Sequence, residues 1–275
     1  MTSVVSSKLI DRSFIKLENG LKMAYSRKGE GSPLIFVPGL GRGAEMWRFQ
    51  LDDLSSEFDV IAIDNRGSGE SDKPAGPYSI SMMAEDLSLF MDAMNISKAV
   101  IIGASMGGFI AQTFAVNYPE KVEKLVLIAT SPGGPNSIPM EKETWEIMWK
   151  GCFQSPKEYL SSAVRLAFSP EYWKKNYTQI MKDIQVRLEN MPPAHAWMSQ
   201  AMAGANFNGW DDCSKISQDT LILSGRDDLV VAPQNSVFLN QLIPHSKLVF
   251  LPGGHYVMIE SWKKLNHHLR EFLGK

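Results

Sequence analysis

The sequence predicts an α/β protein built on a doubly wound, mostly parallel sheet. Two observations predict it. Short, fully apolar runs recur along the chain, and longer stretches with helical periodicity lie between them. Such a βαβα alternation puts helices on both faces of a parallel sheet. The runs Leu34 to Val37, Val60 to Ile63, Ala99 to Ile102 and Leu125 to Ile128 contain no polar residue, as strands buried on both faces require.

Taken in order, Phe14 to Tyr25 reads as two strands around Glu18-Asn19-Gly20. Asn-Gly supplies the positive φ of a tight hairpin, so the sheet begins antiparallel. Helices are expected at Ala44 to Ser56, Ser79 to Asn95 and Met106 to Tyr118, the last stopped by Pro119. After Thr130 the alternation ends. From Ser131 to about Asp212 the chain carries Pro, Trp and Met without a convincing strand and reads as an inserted helical cap. Two helix starts are legible there, Ser155-Pro156-Lys157-Glu158 and Ser169-Pro170-Glu171, each with a capping Ser followed by Pro at the first helical position. Strands return at Thr220 to Leu223 and Lys247 to Leu251, with a helix from Pro233 to Leu242 between them and a final helix from Ile259 to Leu273. The expected division is a core of residues 1–130 and 213–275 with a cap of residues 131–212.

Composition narrows the function classes. At 275 residues the chain suits one large core with a modest insertion. Apolar residues make up 44% and charged residues 21%, close to a soluble globular average. The net charge is −2, and Lys and Arg are scattered, which leaves no electrostatic footprint for nucleic acid or anionic lipid. Cys152 and Cys213 lie far apart with no ligand spacing and read as reduced structural thiols. No apolar leader follows Lys8, and no run approaches 18 apolar residues. A cytoplasmic protein acting on a small molecule is expected, with no membrane span.

The chemistry concentrates at strand ends. Gly103-Ala104-Ser105-Met106-Gly107 follows a buried strand and opens a helix, the setting of a nucleophile elbow. Flanking glycines allow the sharp turn, and the helix N-terminus favours negative charge developing at Ser105. A serine hydroxyl needs a base to take its proton, and a histidine base needs a carboxylate to orient it. Gly225-Arg226-Asp227-Asp228 supplies carboxylates at the carboxyl end of a later strand, with Asp227 and Asp228 in competition, and Gly253-Gly254-His255 follows the last strand. His195, His245, His267 and His268 stand at no strand's carboxyl end and read as surface or core residues. The oxyanion of acyl transfer needs backbone N–H donors. Met106 after the nucleophile supplies one, and Leu40 in Pro38-Gly39-Leu40-Gly41 supplies the other. Those glycines lack the following Lys-Ser or Lys-Thr of a phosphate cradle. No residue cluster has metal-ligand spacing, and the chemistry needs no metal or organic cofactor.

With these motifs in this order, the chain from Phe14 to Leu273 resembles the α/β-hydrolase family, most closely its capped esterases and enol-lactonases. The resemblance implies a mostly parallel eight-stranded sheet with helices on both faces and an inserted helical cap. Members often carry Gly-x-x-Asp for the acid, which selects Asp228, and Gly-His followed by an aromatic residue, matched by Gly254-His255-Tyr256. The family's D-x-R-G-x-G-x-S stretch is matched by Asp64 to Ser71 and shapes the loop after the fourth strand; Pro38 stands where many relatives have His. The implied activity is hydrolysis of a carboxylic ester or lactone with an apolar portion. The implied roles are Ser105 as nucleophile, His255 as base and Asp228 as its partner. Trp145, Met148, Trp149, Trp173, Met191, Trp197, Met198, Met202 and Phe207 give the cap a store of large apolar side chains, many of them needed simply to pack it. Two rivals share the scaffold: a carbon–carbon bond hydrolase of the aromatic-degradation type, which keeps Ser-Met-Gly-Gly, and a ligand-binding receptor.

Overall fold

The computed structural model describes residues 10–150, 156–189 and 191–275. Eight strands form one sheet in the order β1-β2-β4-β3-β5-β6-β7-β8. They are β1 (Ser13–Lys16), β2 (Lys22–Lys28), β3 (Pro33–Val37), β4 (Asp59–Ile63), β5 (Ala99–Ala104), β6 (Val122–Ile128), β7 (Thr220–Gly225) and β8 (Ser246–Leu251). β2 pairs antiparallel with both β1 and β4, and every other neighbouring pair is parallel. The hairpin turns at Gly20 with φ of +87°, as its Asn-Gly requires.

The apolar runs are strands because they have a helix layer to bury against on each side. Ile35, Ile61, Ile101, Leu125 and Ile222 face one layer, formed by α2 (Ile80–Ala93), α3 (Met106–Asn117) and α8 (Gln234–Leu242). Their neighbours Leu34, Val60, Val100, Val126 and Leu221 face the other, formed by α1 (Arg48–Leu54), α9 (Val257–Glu260) and α10 (Trp262–Leu273). The alternation follows the two-residue period of a strand. Buried Gln50 of α1 ties this second layer together by donating to Asn266 Oδ1 at 3.0 Å and to the Met258 carbonyl at 3.1 Å.

Between β6 and β7 the described residues form α4 (Lys142–Lys150), α5 (Pro156–Ala167), α6 (Pro170–Glu189) and α7 (Ala194–Ala205). The proposed cap Ser155 lies outside the described residues, as does Cys152. Ser169 caps as expected, its hydroxyl accepting from the Tyr172 amide at 3.3 Å. It also donates to Glu260 Oε2 at 2.6 Å, tying the start of α6 to the end of α9.

Two expected helices are divided. The segment from Ala44 begins as a 3-10 turn, Ala44–Trp47, before α1. Asp64 Oδ1 accepts from the Ala44 amide at 2.6 Å and pins this end to the sheet. The last helix breaks at Ser261, whose backbone leaves the helical region at φ −113° and ψ +31° while its hydroxyl donates to the Pro252 carbonyl at 2.6 Å. Each break carries a side-chain bond outside its own helix, which local periodicity does not encode.

Candidate active site

β3 leads leftward to β4, whereas β5 lies on its other side, so the strand order reverses between β3 and β5. A crevice opens at the carboxyl ends of parallel strands at such a switch point. The loop holding Leu40 leaves β3 here, and Ser105 leaves β5.

Ser105 sits between β5 and α3 with φ +54° and ψ −124°, a conformation that side chains other than glycine rarely adopt. Its backbone is fixed on both sides. The amide donates to the Ile128 carbonyl at 3.0 Å, and the carbonyl accepts from Thr130 Oγ1 and the Gly108 amide, each at 2.8 Å. The glycines are required by contact: a Cβ on Gly107 would stand 2.2 Å from the Val37 carbonyl oxygen, and one on Gly103 2.2 Å from that of Gly107. A Cβ on Gly39 would lie 3.1 Å from Ser105 Cβ and 3.6 Å from Oγ, so the loop after β3 packs its backbone directly against the serine.

Asp228 and His255 are both buried, at 4% and 5% exposure, and Asp228 Oδ2 is 2.9 Å from His255 Nδ1. Asp228 Oδ1 accepts from the amides of Val230 at 2.8 Å and Val231 at 2.9 Å, which aims the other oxygen at the imidazole. Asp227, its rival in the sequence, is exposed. With Asp228 on Nδ1, the neutral imidazole carries its proton there and leaves Nε2 as the acceptor. Glu260 Oε1 receives the Gly254 amide at 2.8 Å and the Ser169 amide at 2.9 Å, supporting the backbone next to His255. Burial pushes the Glu260 carboxyl above its ordinary range, against the pull of those donors.

Ser105, His255, Leu40 and Met106 all line one cavity of about 320 Å³, room for about ten waters or one small organic molecule. Of the large apolar residues between β6 and β7, Met191 and Trp197 line it. Phe207 stacks on Phe109, another lining residue, with ring centroids 4.4 Å apart. Trp145, Met198 and Met202 are exposed, and the side chains of Met148 and Trp149 lie outside the description.

Several site residues had no signal in the sequence. Gln200 of α7 is fully buried; its Oε1 accepts from the Gly41 amide at 2.9 Å and its Nε2 donates to the Arg66 carbonyl at 2.6 Å. Helix α7 is thereby joined to the loop carrying Leu40 and to the loop after β4. That second loop wraps around Asp64, whose Oδ2 accepts from the Glu70 amide at 2.8 Å and from Arg12 Nε at 3.0 Å. Tyr256, next to His255, also lines the cavity. Burial raises its hydroxyl's pKa, but Arg42 and Arg187 outweigh that and hold it below the ordinary phenol value. Among the described residues no three His, Cys, Asp or Glu side chains are grouped to hold a metal ion, and no helix is long and apolar enough to cross a membrane.

Comparison with known proteins agrees with this fold. Residues 32–261 match the family model of the α/β hydrolase fold. A protein of Azorhizobium caulinodans named for carbamate hydrolysis is 25% identical over 91% of this chain and 94% of its own. The 2-hydroxy-6-oxononadienedioate/2-hydroxy-6-oxononatrienedioate hydrolase of Paraburkholderia phymatum is 30% identical over 94% of each chain. The crystal structure of the enol-lactonase from Burkholderia xenovorans LB400 superposes with a TM-score of 0.85 at 25% identity, covering 96% of this chain and 100% of that one. On the sheet order, the strained serine turn and a family match over most of its length, this chain belongs to the α/β hydrolase fold family and is a hydrolase.

Proposed function

We propose that the protein cleaves a carboxylic ester or lactone through an acyl-enzyme formed on Ser105. The observation that carries this reading is that Ser105 and His255 line one cavity, with His255 Nδ1 held 2.9 Å from Asp228 Oδ2. Ser105 Oγ attacks the carbonyl carbon while His255 Nε2 takes its proton. The backbone amides of Leu40 and Met106 receive the oxyanion. His255 then returns the proton to the leaving alkoxide, and Asp228 stabilises the imidazolium between the two transfers. Water, activated by His255, attacks the acyl carbon and releases the acid. Preorganised oxyanion donors are worth roughly 100- to 1,000-fold in rate each. The segment 131–212 acts as the cap that closes the cavity and excludes bulk water. The likeness to an enol-lactonase supports lactone or ester chemistry.

A second reading has its own support. The relative at 30% identity is named as a hydrolase of 2-hydroxy-6-oxo dienoic and trienoic diacids, and carbon–carbon hydrolysis of that type would use the same serine and histidine. Hydrolysis of p-nitrophenyl esters of increasing acyl length, by the wild type and by Ser105→Ala, with and without a chelator, tests the first reading. Multiple turnovers that vanish in the variant and ignore the chelator are expected. No turnover by folded wild type, together with cleavage of a dienoic ketoacid, would replace it with the second.

A further inference from the structure

Arg42 presents a buried cation to the cavity with hydrogen-bond donors left over. It lies one turn beyond Gly39, with its amide donating to the Gly39 carbonyl at 3.2 Å, in the loop that packs against Ser105. Its side chain is 7% exposed and lines the cavity. The nearest carboxylate, Glu45 Oε1, is 3.6 Å from Arg42 Nε, and Nε has no hydrogen-bond partner. Glu45 is already engaged: Oε2 accepts from Arg12 Nη2 at 3.0 Å, and Oε1 accepts from the Gly43 amide at 3.2 Å. The guanidinium carbon lies over the Tyr256 ring, 5.2 Å from its centre.

A buried cation with unused donors is costly unless something anionic completes it. Glu45 supplies charge balance at a distance that leaves the Arg42 fork without a short bond. A planar guanidinium recognises a carboxylate best, through parallel N–H···O bonds. Met46, Leu160, Val164 and Val230 give the cavity apolar wall, and its other charged lining side chains are Arg12, Glu45, Glu70 and Arg187.

We propose that Arg42 binds a free carboxylate of the substrate, making the preferred substrate an ester or lactone whose acid or alcohol portion bears a second, ionised carboxyl group. This rests on the ester or lactone reading above. The carboxylate accepts from the Arg42 N–H groups while the scissile carbonyl lies at Ser105, so charge at one end of the cavity orients the reacting bond at the other.

The test compares mono-p-nitrophenyl glutarate, which carries the second carboxylate, with neutral p-nitrophenyl butyrate. Wild type is expected to prefer the charged ester in kcat/KM. In Arg42→Met the charged-to-neutral ratio falls about 10- to 100-fold, the loss of a charge-assisted hydrogen-bonded contact, and appears mainly in KM. Arg42→Lys keeps part of the preference, and a melting curve checks that each variant is folded. Calorimetric titration with glutarate needs no turnover: wild type binds it, and Arg42→Met binds it at least tenfold more weakly. Hydrolysis of neither ester would count against the ester reading alone, and the glutarate titration would then decide the role of Arg42. A wild type that prefers the neutral ester, a ratio unchanged within twofold in a folded Arg42→Met, or equal glutarate binding by both proteins would overturn the proposal.

Discussion

Replacing Gln200 with Leu tests whether α7 holds the loop that carries Leu40. The shapes are similar, so the change removes two hydrogen bonds more than it removes volume. It strands the Gly41 amide, now bonded at 2.9 Å, and the Arg66 carbonyl, now bonded at 2.6 Å, at a side chain with no exposure. Each stranded buried group costs about 1–3 kcal/mol, partly offset by the apolar side chain that replaces the amide. A net loss of about 2–3 kcal/mol follows, which lowers Tm by roughly 5–10 °C in a chain of this size. The functional effect runs through geometry. A Gly41 amide freed from Gln200 lets the neighbouring Leu40 N–H drift, and complete loss of one oxyanion donor costs roughly 100- to 1,000-fold. A drop in kcat of about 10- to 100-fold, with KM within threefold, is expected in steady-state hydrolysis of p-nitrophenyl butyrate. Gln200→Glu, which still accepts from Gly41 but cannot donate to Arg66, should fall between the two. A Gln200→Leu enzyme that melts lower yet keeps kcat within twofold would refute the link between α7 and the loop.

Three further outcomes follow from single contacts. Ser105→Gly removes a side chain from a backbone at φ +54°, so the variant should melt higher, by about 1 kcal/mol of stability, while losing ester turnover; lower stability would show that the turn is not strained. Burial raises the Glu260 carboxyl in the fold above its ordinary value of 4.5, so its contribution is full below that value and is lost as pH rises through the folded value. Glu260→Gln should flatten that part of the stability–pH curve, and Glu260→Ala, which strands the Gly254 and Ser169 amides, should cost about 2 kcal/mol in urea melts at neutral pH. The Cys213 thiol is pushed up to about 12 by burial, with Asp212 adding to the shift; its peptide should resist iodoacetamide at pH 8 in native protein and label fully in urea, as read by mass spectrometry.

The legibility of the molecule divides along physical lines. The central strands could be read because burial on both faces leaves uninterrupted apolar runs, and the hairpin because Asn19-Gly20 carries its own turn geometry. Ser105 was legible because the close approaches at Gly103 and Gly107 exclude any side chain. Asp228 was harder: Asp227 has the same chemistry one residue earlier, and only a family pattern separated them before the 2.9 Å contact with His255. The inserted segment showed two helix starts where the described residues form four helices, because α7 follows Pro193 without any side-chain cap. Gln200 and Arg42 were illegible altogether. The contact of Gln200 with Gly41 spans 159 positions, and the importance of Arg42 arises only where Glu45, Tyr256 and the cavity wall converge. Such roles belong to tertiary placement and have no signature in spacing.

Covalent labelling tests the central claim most directly. Native protein is treated with a fluorophosphonate, which traps an activated serine without needing the right substrate, and its intact mass and tryptic peptides are measured. The account predicts one adduct per chain on the peptide containing Ser105, none in Ser105→Ala, and markedly slower labelling in Asp228→Ala and His255→Ala. No adduct on folded wild type, or an adduct on a different residue, would contradict a nucleophilic Ser105.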